Sequence, residues 1–555
     1  MSGLSFLARA PRRGRISGAA LLTGAAISIL GVFGVAPASA AGCGDSWTNA
    51  AGGSWFEGAN WSTKAPPKED EEACITAAGT YTVSMNGIAD VTVKALTLGG
   101  SSGAQRLSVA GGCSLNQVLT TSAGLRIETH GALTMTNDET CPNSVTVVGP
   151  LLNAGTLTTG PSLGGQRNLQ GNLTNKGTIA VNADTSFSGA KDTLANEGTI
   201  ALADGATLTA SNEATVTNAT GTIASTGTGE LLVRVGTFDQ GAGSTSGEPV
   251  YVDDGAVHFT GVGAASVAVR GTSTLVGEEV AKGQKLTIQS TCGEQGNLSG
   301  GALLNNGTIV LTSADGCGNQ ADLLLGLSRL QNKGGTIDVE NPDGGQREIE
   351  AELINEKTLS IAAGDTLRLY GAFTQSKRGT YVTGIASASS YGLLLASGAA
   401  TIGGTLSLKV APGFTGSLGQ RFPVLGADLP TGTFAKVTSA TIKSKVEPGL
   451  YYRPGYANVV ELIVTEAKVA VAPGEAAPGS TVKLFASGYP ASDVVRLSFL
   501  DAKKVKTTFA SATDEPFGEF IAEVTVPSTA AQGKGTFTAQ DSVTGVKATA
   551  TIKVT

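Results

Sequence analysis

Two His, three Met and three Trp in 555 residues, with 15% charged and 5% aromatic side chains, leave little of the equipment that most enzymes and nucleic-acid binders carry. No Cys pair has C-x-x-C spacing and His is scarce, so a zinc site is not expected. Lys and Arg number 38 against 45 Asp and Glu, a formal net charge of -7 without a basic block. Phosphate binding needs clustered cations, so nucleic acid is not an expected partner. Neither the H-E-x-x-H nor the Gly-Lys-Ser/Thr signature occurs. No long stretch follows the 3.6-residue period of an amphipathic helix. The chain has instead 77 Gly and 41% hydrophobic residues, enough to build cores and too much for a wholly disordered chain. Its length predicts about three to four structural units.

The first 40 residues read as an export signal. Arg9, Arg12, Arg13 and Arg15 give a positive start, Ile16 to Val35 is apolar, and Ala38-Ser39-Ala40 is a small-x-small cleavage site. Cutting after Ala40 makes Ala41 the mature N-terminus. The alternatives are an uncleaved anchor, or a lipoprotein with its lipid on Cys43. No later run reaches membrane-span length, so the mature chain is expected outside the cell or on its surface, not spanning a membrane. Six cysteines (Cys43, Cys74, Cys113, Cys141, Cys292 and Cys317) agree with an oxidising compartment. Six allow 15 connectivities, and spacing alone cannot choose. Cys113 with Cys141 and Cys292 with Cys317 each enclose a β-like run, Leu133 to Thr136 and Ile309 to Thr312, which reads as one unit used twice with a bridge in each. Pairing Cys43 with Cys74 completes the set and leaves no thiol for a lipid.

The centre of the chain repeats. Leu151-Leu152-Asn153-Ala154-Gly155-Thr156-Leu157, Leu173-Thr174-Asn175-Lys176-Gly177-Thr178-Ile179 and Leu194-Ala195-Asn196-Glu197-Gly198-Thr199-Ile200 share one pattern. Asn218, Asn305, Asn332 and Asn355 continue it, with steps of 22, 21 and 22, then 27 and 23 residues after Asn305. The silent gap of 87 from Asn218 to Asn305 is close to four periods, so the register is expected to survive where the letters fade. Within a unit, runs such as Gly-Thr-Ile-Ala-Leu-Ala (198–203) alternate as strands between Asn, Gly and Asp turns. About three short strands cannot bury their own apolar face, but stacked units can. The predicted fold is all-β: a parallel, right-handed β-helix with coils about 4.8 Å apart. Residues 80–410 leave room for roughly fifteen coils at that spacing.

The repeated Asn is read as a structural ladder at a shared bend, each amide satisfying turn backbone and stacking on its neighbour. Gly two residues later is expected to supply a positive φ. Asp184, Asp204, Asp315, Asp343 and Asp365 fall near another turn; a calcium stripe is the alternative to turn residues, but calcium needs six to eight clustered oxygens.

On those Leu-x-Asn-x-Gly-Thr-Ile units the chain resembles the β-helical stalks of bacterial surface and secreted proteins, of the autotransporter-passenger and filamentous-haemagglutinin type. Trp55-Phe56-Glu57-Gly58-Ala59-Asn60-Trp61-Ser62, with Pro66-Pro67 after it, looks like the opening of such helices. Gly403 to Leu408, Phe422 to Leu425 and Gly432 to Phe434 resemble their closing segment. The resemblance implies an adhesin-like surface stalk, with envelope or host glycans or proteins as the class of partner. No C-terminal membrane barrel is seen, so self-export is not expected.

After Glu466 the periodicity stops. Pro473-Gly474 and Pro478-Gly479 open a stretch of six or seven short strands in about 90 residues, similar to bacterial Ig-like modules. The expected organisation is a signal peptide at 1–40, an N-terminal cap at 41–90, the β-helix at 91–410, a closing β segment at 411–465, and an Ig-like β-sandwich at 466–555. Trp47, Trp55 and Trp61 are expected to plug the open end of the helix. Two groups were candidates for carbohydrate chemistry: Asp253-Asp254 with His258 and Arg270, and Glu348, Glu350 and Glu352 beside Arg347. Asp-Asp-Gly reads first as a corner, the Glu row as a solvated face, and His130-Gly131 as a turn. The expectation is therefore a non-catalytic protein with no catalytic, cofactor or metal residues, against the alternative of a β-helical polysaccharide lyase or hydrolase.

Overall fold

Period-two alternation decides which side chains go inside. In Thr199–Leu202, Ile200 and Leu202 are buried while Thr199 and Ala201 are half-exposed, and Thr178–Val181, Thr207–Ala210 and Thr358–Ile361 repeat the pattern. In a computed structural model the described residues are 43–86, 89–112, 116–137, 143–160, 165–340, 346–414, 421–439, 445–451, 459–465, 467–489, 494–513, 519–542 and 547–555. The predicted export signal, Cys113, Cys141 and Asp343 lie outside them.

These strands wind into a parallel β-solenoid of about 14 turns with almost no helix. Each four-residue strand pairs with its counterpart one coil on: Thr156, Thr178, Thr199, Thr222 and Ser244 stand in one column, with Leu157, Ile179, Ile200 and Ile223 beside them inside. One wall has nine strands, from Gly53–Ser54 to Ser244–Ser246. The other walls merge because long strands such as Gln117–Ile127, Ala265–Val276 and Ala321–Asn332 run through corners. Their ladders then continue into two different neighbours: Ala265–Val269 lies beneath Gln284–Ile288, and Gly271–Thr274 beneath Gly296–Ser299.

One apolar cluster runs from Trp47 to Val460. Each fully buried Leu, Ile or Val in it contributes about 1.5–3 kcal/mol, which is how units too small to fold alone become stable when stacked. Parallel pairing already starts at Asp45–Ser46, which lies in register under Ala73 and Cys74. The segment expected as a cap therefore belongs partly to the solenoid itself. Trp61 sits edge-on to Trp47 and Trp55, with centroids 5.2 and 4.7 Å away. The indole N–H of Trp61 donates to the Trp55 carbonyl at 2.8 Å, so all three rings are buried without an orphaned donor on Trp61. At the other end Val459–Thr465 pairs antiparallel with both Arg421–Gly426 and Lys445–Tyr451. That reversal ends the stack.

Beyond it, Lys468–Ala472, Thr481–Ser487 and Phe520–Thr525 form a three-stranded sheet. Val494–Leu500, Gly533–Asp541 and Lys547–Val554 are the main strands of a six-stranded one. Both contribute to a second apolar cluster that includes Leu484, Phe499, Phe537 and Ile552.

Candidate functional site

The Asn repeat forms two buried hydrogen-bonded columns. Asn153 donates through Nδ2 to Oδ1 of Asn175 at 2.8 Å, Asn175 to Asn196 at 2.8 Å, and Asn196 to Asn218 at 3.0 Å. Asn218 then donates to Oε1 of Gln240 at 3.3 Å. The second column runs Asn305, Asn332, Asn355 and Gln375, each step 2.8 Å. Every Asn also donates to a turn carbonyl of the next coil, as Asn153 does to Thr178 at 2.9 Å. Between the columns the same position passes from Gln240 to Phe259 and reaches Asn305 from Val280, so apolar side chains interrupt the amides without breaking the coils. Each column has a direction: Oδ1 of its first member, Asn153 or Asn305, has no donor, because Ile127 and Val280 lie beneath.

The glycine two residues after each Asn is not at positive φ; Gly155, Gly177 and Gly198 are absent from that region. They are glycine because the corners touch. A Cβ on Gly177 would lie 2.1 Å from the Gly155 carbonyl oxygen, and one on Gly198 2.2 Å from that of Gly177. Proximity, not backbone handedness, sets this position.

The cysteine pair Cys292–Cys317 is bonded, with Cα atoms 4.9 Å apart, and staples two successive coils. Cys43 and Cys74 are each disulfide-bonded as well. Asn319 Nδ2 donates to the carbonyl before Cys292 at 2.6 Å, and Asn143 Nδ2 likewise contacts the carbonyl of Gly112, the residue before Cys113. The two cysteine units thus share a corner contact.

The turn aspartates bind backbone. Asp184 accepts the Thr207 N–H at 3.1 Å, and Asp204 accepts the N–H and hydroxyl of Thr228 at 2.9 and 3.1 Å. Those hydrogen bonds hold the Asp204 carboxyl below the usual carboxylate range. Asp315 accepts the Cys292 and Cys317 N–H groups, and Asp365 is buried close to the charge of Arg347. They do not converge on one point. Among the described residues the only cluster of three Cys, His, Asp or Glu ligand atoms is Cys292, Asp315 and Cys317, whose sulfurs are already bonded to each other.

The first catalytic candidate separates. Asp253 and Arg270 do meet: Arg234, Asp253 and Arg270 stand in register on three coils, with Arg234 3.5 Å from Asp253 Oδ2. Arg270 lies 3.8 Å over the Tyr251 ring and donates to Gln289 at 3.0 Å. Burial raises the Asp253 carboxyl, with Arg270 and Arg234 opposing; burial also raises Glu230 and Glu294 nearby. His258 is elsewhere, 2.7 Å from Asp239 on the preceding coil, and burial raises that carboxyl against the pull of the imidazole. Asp254 caps a corner by accepting the Thr272 N–H at 2.8 Å. His130 is exposed, with Nδ1 3.0 Å from the Gly100 carbonyl.

The second candidate gains a partner the sequence analysis missed. Glu348, Glu350 and Glu352 alternate outward on Arg347–Asn355, half-exposed as a solvated row, and Glu352 is 3.6 Å from Arg329. Arg347 itself is fully buried and donates to the carbonyls of Asn319 and Gln346 at 3.1 and 2.9 Å. Asp322, in register beneath Glu348, is only 7% exposed although it faces outward. Burial, reinforced by the Glu348 charge, pushes its carboxyl up to about 7. Asn297 lies beneath Asp322 in turn. The steps of this column are 25 and 26 residues, against 22 in the first Asn column, so no constant offset pointed to it in the sequence.

The C-terminal sheets carry an open cavity of about 1030 Å³ along the three-stranded sheet, between Ala467–Ala470, Phe485–Ser487 and Glu519–Ile521. Phe485 and Ile521 face each other across that sheet and are exposed. No helix among the described residues is long and apolar enough to cross a membrane. No family model matches the chain, and neither a curated protein nor a solved structure is similar enough to match it.

Proposed function

We propose that this is an exported, non-catalytic bacterial surface or extracellular protein, in which a right-handed solenoid stalk presents a C-terminal Ig-like sandwich for adhesion. The observation that carries this reading is the solenoid's economy: one apolar core from Trp47 to Val460, sealed by tryptophans at one end and an antiparallel hairpin at the other. Much of its outward surface is built from Thr, Ser and Ala columns, as in Thr178, Thr199, Thr222 and Ser244. Such a body contributes length and rigidity. Disulfides on Cys43, Cys74, Cys292 and Cys317 suit an oxidising exterior. Glycan-array and cell-adhesion assays on the chain from Ala41 onward test the reading; saturable attachment to a glycan or envelope protein is expected.

A carbohydrate-active enzyme is the second reading, and the stacked Asp322 and Glu348 carboxyls favour it. Turnover of a defined polysaccharide that disappears in Asp253→Asn or Glu348→Gln would replace the stalk with that reading.

A further inference from the structure

We propose that Asn297, Asp322 and Glu348 form a binding site for a calcium-class divalent cation on the outer wall of the solenoid. The three residues stand in register on successive coils, Asn297 beneath Asp322 and Asp322 beneath Glu348. Their inward neighbours Leu298, Leu323 and Ile349 are fully buried, so alternation turns all three polar side chains to the same outer face. Strand spacing brings successive members within about 5 Å at the backbone.

The decisive observation is an excess of acceptors. Oδ1 of Asn297 and Oδ1 of Asp322 are both buried and have no hydrogen-bond donor. Buried oxygens almost always have one, and here two orphans on adjacent coils, an amide oxygen and a carboxylate oxygen, are followed by a second carboxylate. The Asn297 amide nitrogen points away to Gln295 Oε1 at 3.4 Å, which leaves its oxygen on the unsatisfied side. The charge of Arg347 acts on Asp322, but among the described residues no hydrogen bond joins the two side chains. Arg347 is held on carbonyl oxygens of Asn319, Gln346 and Glu340, and Arg368 is exposed in register above Glu348.

The Arg234–Asp253–Arg270 column shows the contrast. Asp253 also has an orphaned Oδ1, but it lies between two guanidinium groups in register, so its charge is already met from within the chain. At Asp322 the in-register neighbours are Asn297 and Glu348, so no guanidinium pair brackets it, and Arg347, whose charge bears on it, donates to backbone carbonyls. One amide oxygen and two carboxylates are hard donors in a loose geometry, which suits calcium with water completing its shell better than the strict octahedron of magnesium. With three protein donors the affinity belongs with the weak extracellular sites, Kd about 0.1–1 mM.

The test is calorimetric titration of calcium chloride into the full chain after chelation, with thermal unfolding followed in parallel. One site in that affinity range and a calcium-dependent rise in Tm are expected. Asp322→Asn and Glu348→Gln should each weaken binding at least tenfold. Glu350→Gln, which removes the next outward carboxylate on the same strand but outside the column, should leave it unchanged. Glu348 is half-exposed, so its variant keeps the test valid if Asp322→Asn misfolds. Absence of heat and of any Tm change up to about 10 mM calcium, or equal weakening by Glu350→Gln and Glu348→Gln, overturns the site.

Discussion

Breaking the amide column in its middle should cost about two to three times as much as shortening it from its start. Asn175 accepts from Asn153 and donates to both Asn196 and the Thr199 carbonyl, at 2.8, 2.8 and 3.0 Å. Asn175→Leu removes all three bonds. It strands Oδ1 of Asn196 in the core while Oδ1 of Asn153 is still without a donor, so the column acquires a second orphaned acceptor. One new buried orphan at about 1–3 kcal/mol, with three lost hydrogen bonds at about 1 kcal/mol each, predicts a loss of about 4–6 kcal/mol. Asn153→Leu behaves differently. It extends the apolar column begun by Ile127 and moves the existing orphan from Asn153 to Asn175 without adding one. The remaining loss is its two donated bonds, to Asn175 Oδ1 and to the Thr178 carbonyl, about 2 kcal/mol. Because a solenoid unfolds coil by coil as readily as all at once, native-state hydrogen exchange on residues 151–202 is the appropriate assay, supported by urea denaturation. A penalty for Asn153→Leu equal to or larger than that for Asn175→Leu would refute the directional account of the ladder.

Three further outcomes are expected. Gly177→Ala drives a methyl group into the Gly155 carbonyl at 2.1 Å and should destabilise by about 2 kcal/mol or more, whereas Gly301→Ala, with nothing within 4 Å, should stay within about 0.5 kcal/mol of wild type by thermal unfolding. Replacing Cys292 and Cys317 together by Ser opens a 25-residue loop and should cost about 2–4 kcal/mol in denaturant midpoint experiments. Asp501 accepts the N–H groups of Ala531 and Val505, which lower its folded-state pKa; its contribution is therefore complete at neutral pH and lost as pH falls through that lowered value, so Asp501→Asn should reduce stability at pH 7 and narrow its difference from wild type in acid, followed by circular dichroism.

Much of the fold was legible because stacking leaves a literal repeat in the letters. The Leu-x-Asn-x-Gly-Thr-Ile units place Asn153, Asn175, Asn196 and Asn218 one above another, and the strand register stacks them in that order. Gln240 and Gln375 escaped because the series was followed by letter. Chemically they are the same amide with one more methylene, and they stand where the next Asn would. The Asn-x-Gly glycines were visible, but their cause was not. Alternation and turn propensity are local, and a carbonyl one coil below leaves no local trace.

The outward-facing candidate site was hidden for a related reason. Whether an outward residue is exposed depends on what sits one coil before and after it, and Asp322 is buried by neighbours at Asn297 and Glu348 rather than by its own strand. Finding such neighbours from sequence requires a constant offset. The first Asn column keeps an offset near 22, but the Cys292–Cys317 corner and the bulge between Leu324 and Arg329 change the length of the coils that carry Asn297, Asp322 and Glu348, where the Asn step itself stretches to 27. The irregular coils are also where acidic side chains of different coils are brought together, because a corner of altered length lets polar groups stack under cover instead of standing apart on a flat Thr column. On a regular solenoid, then, the search for chemistry should begin where the period slips, and the Asn297–Asp322–Glu348 column lies within that stretch.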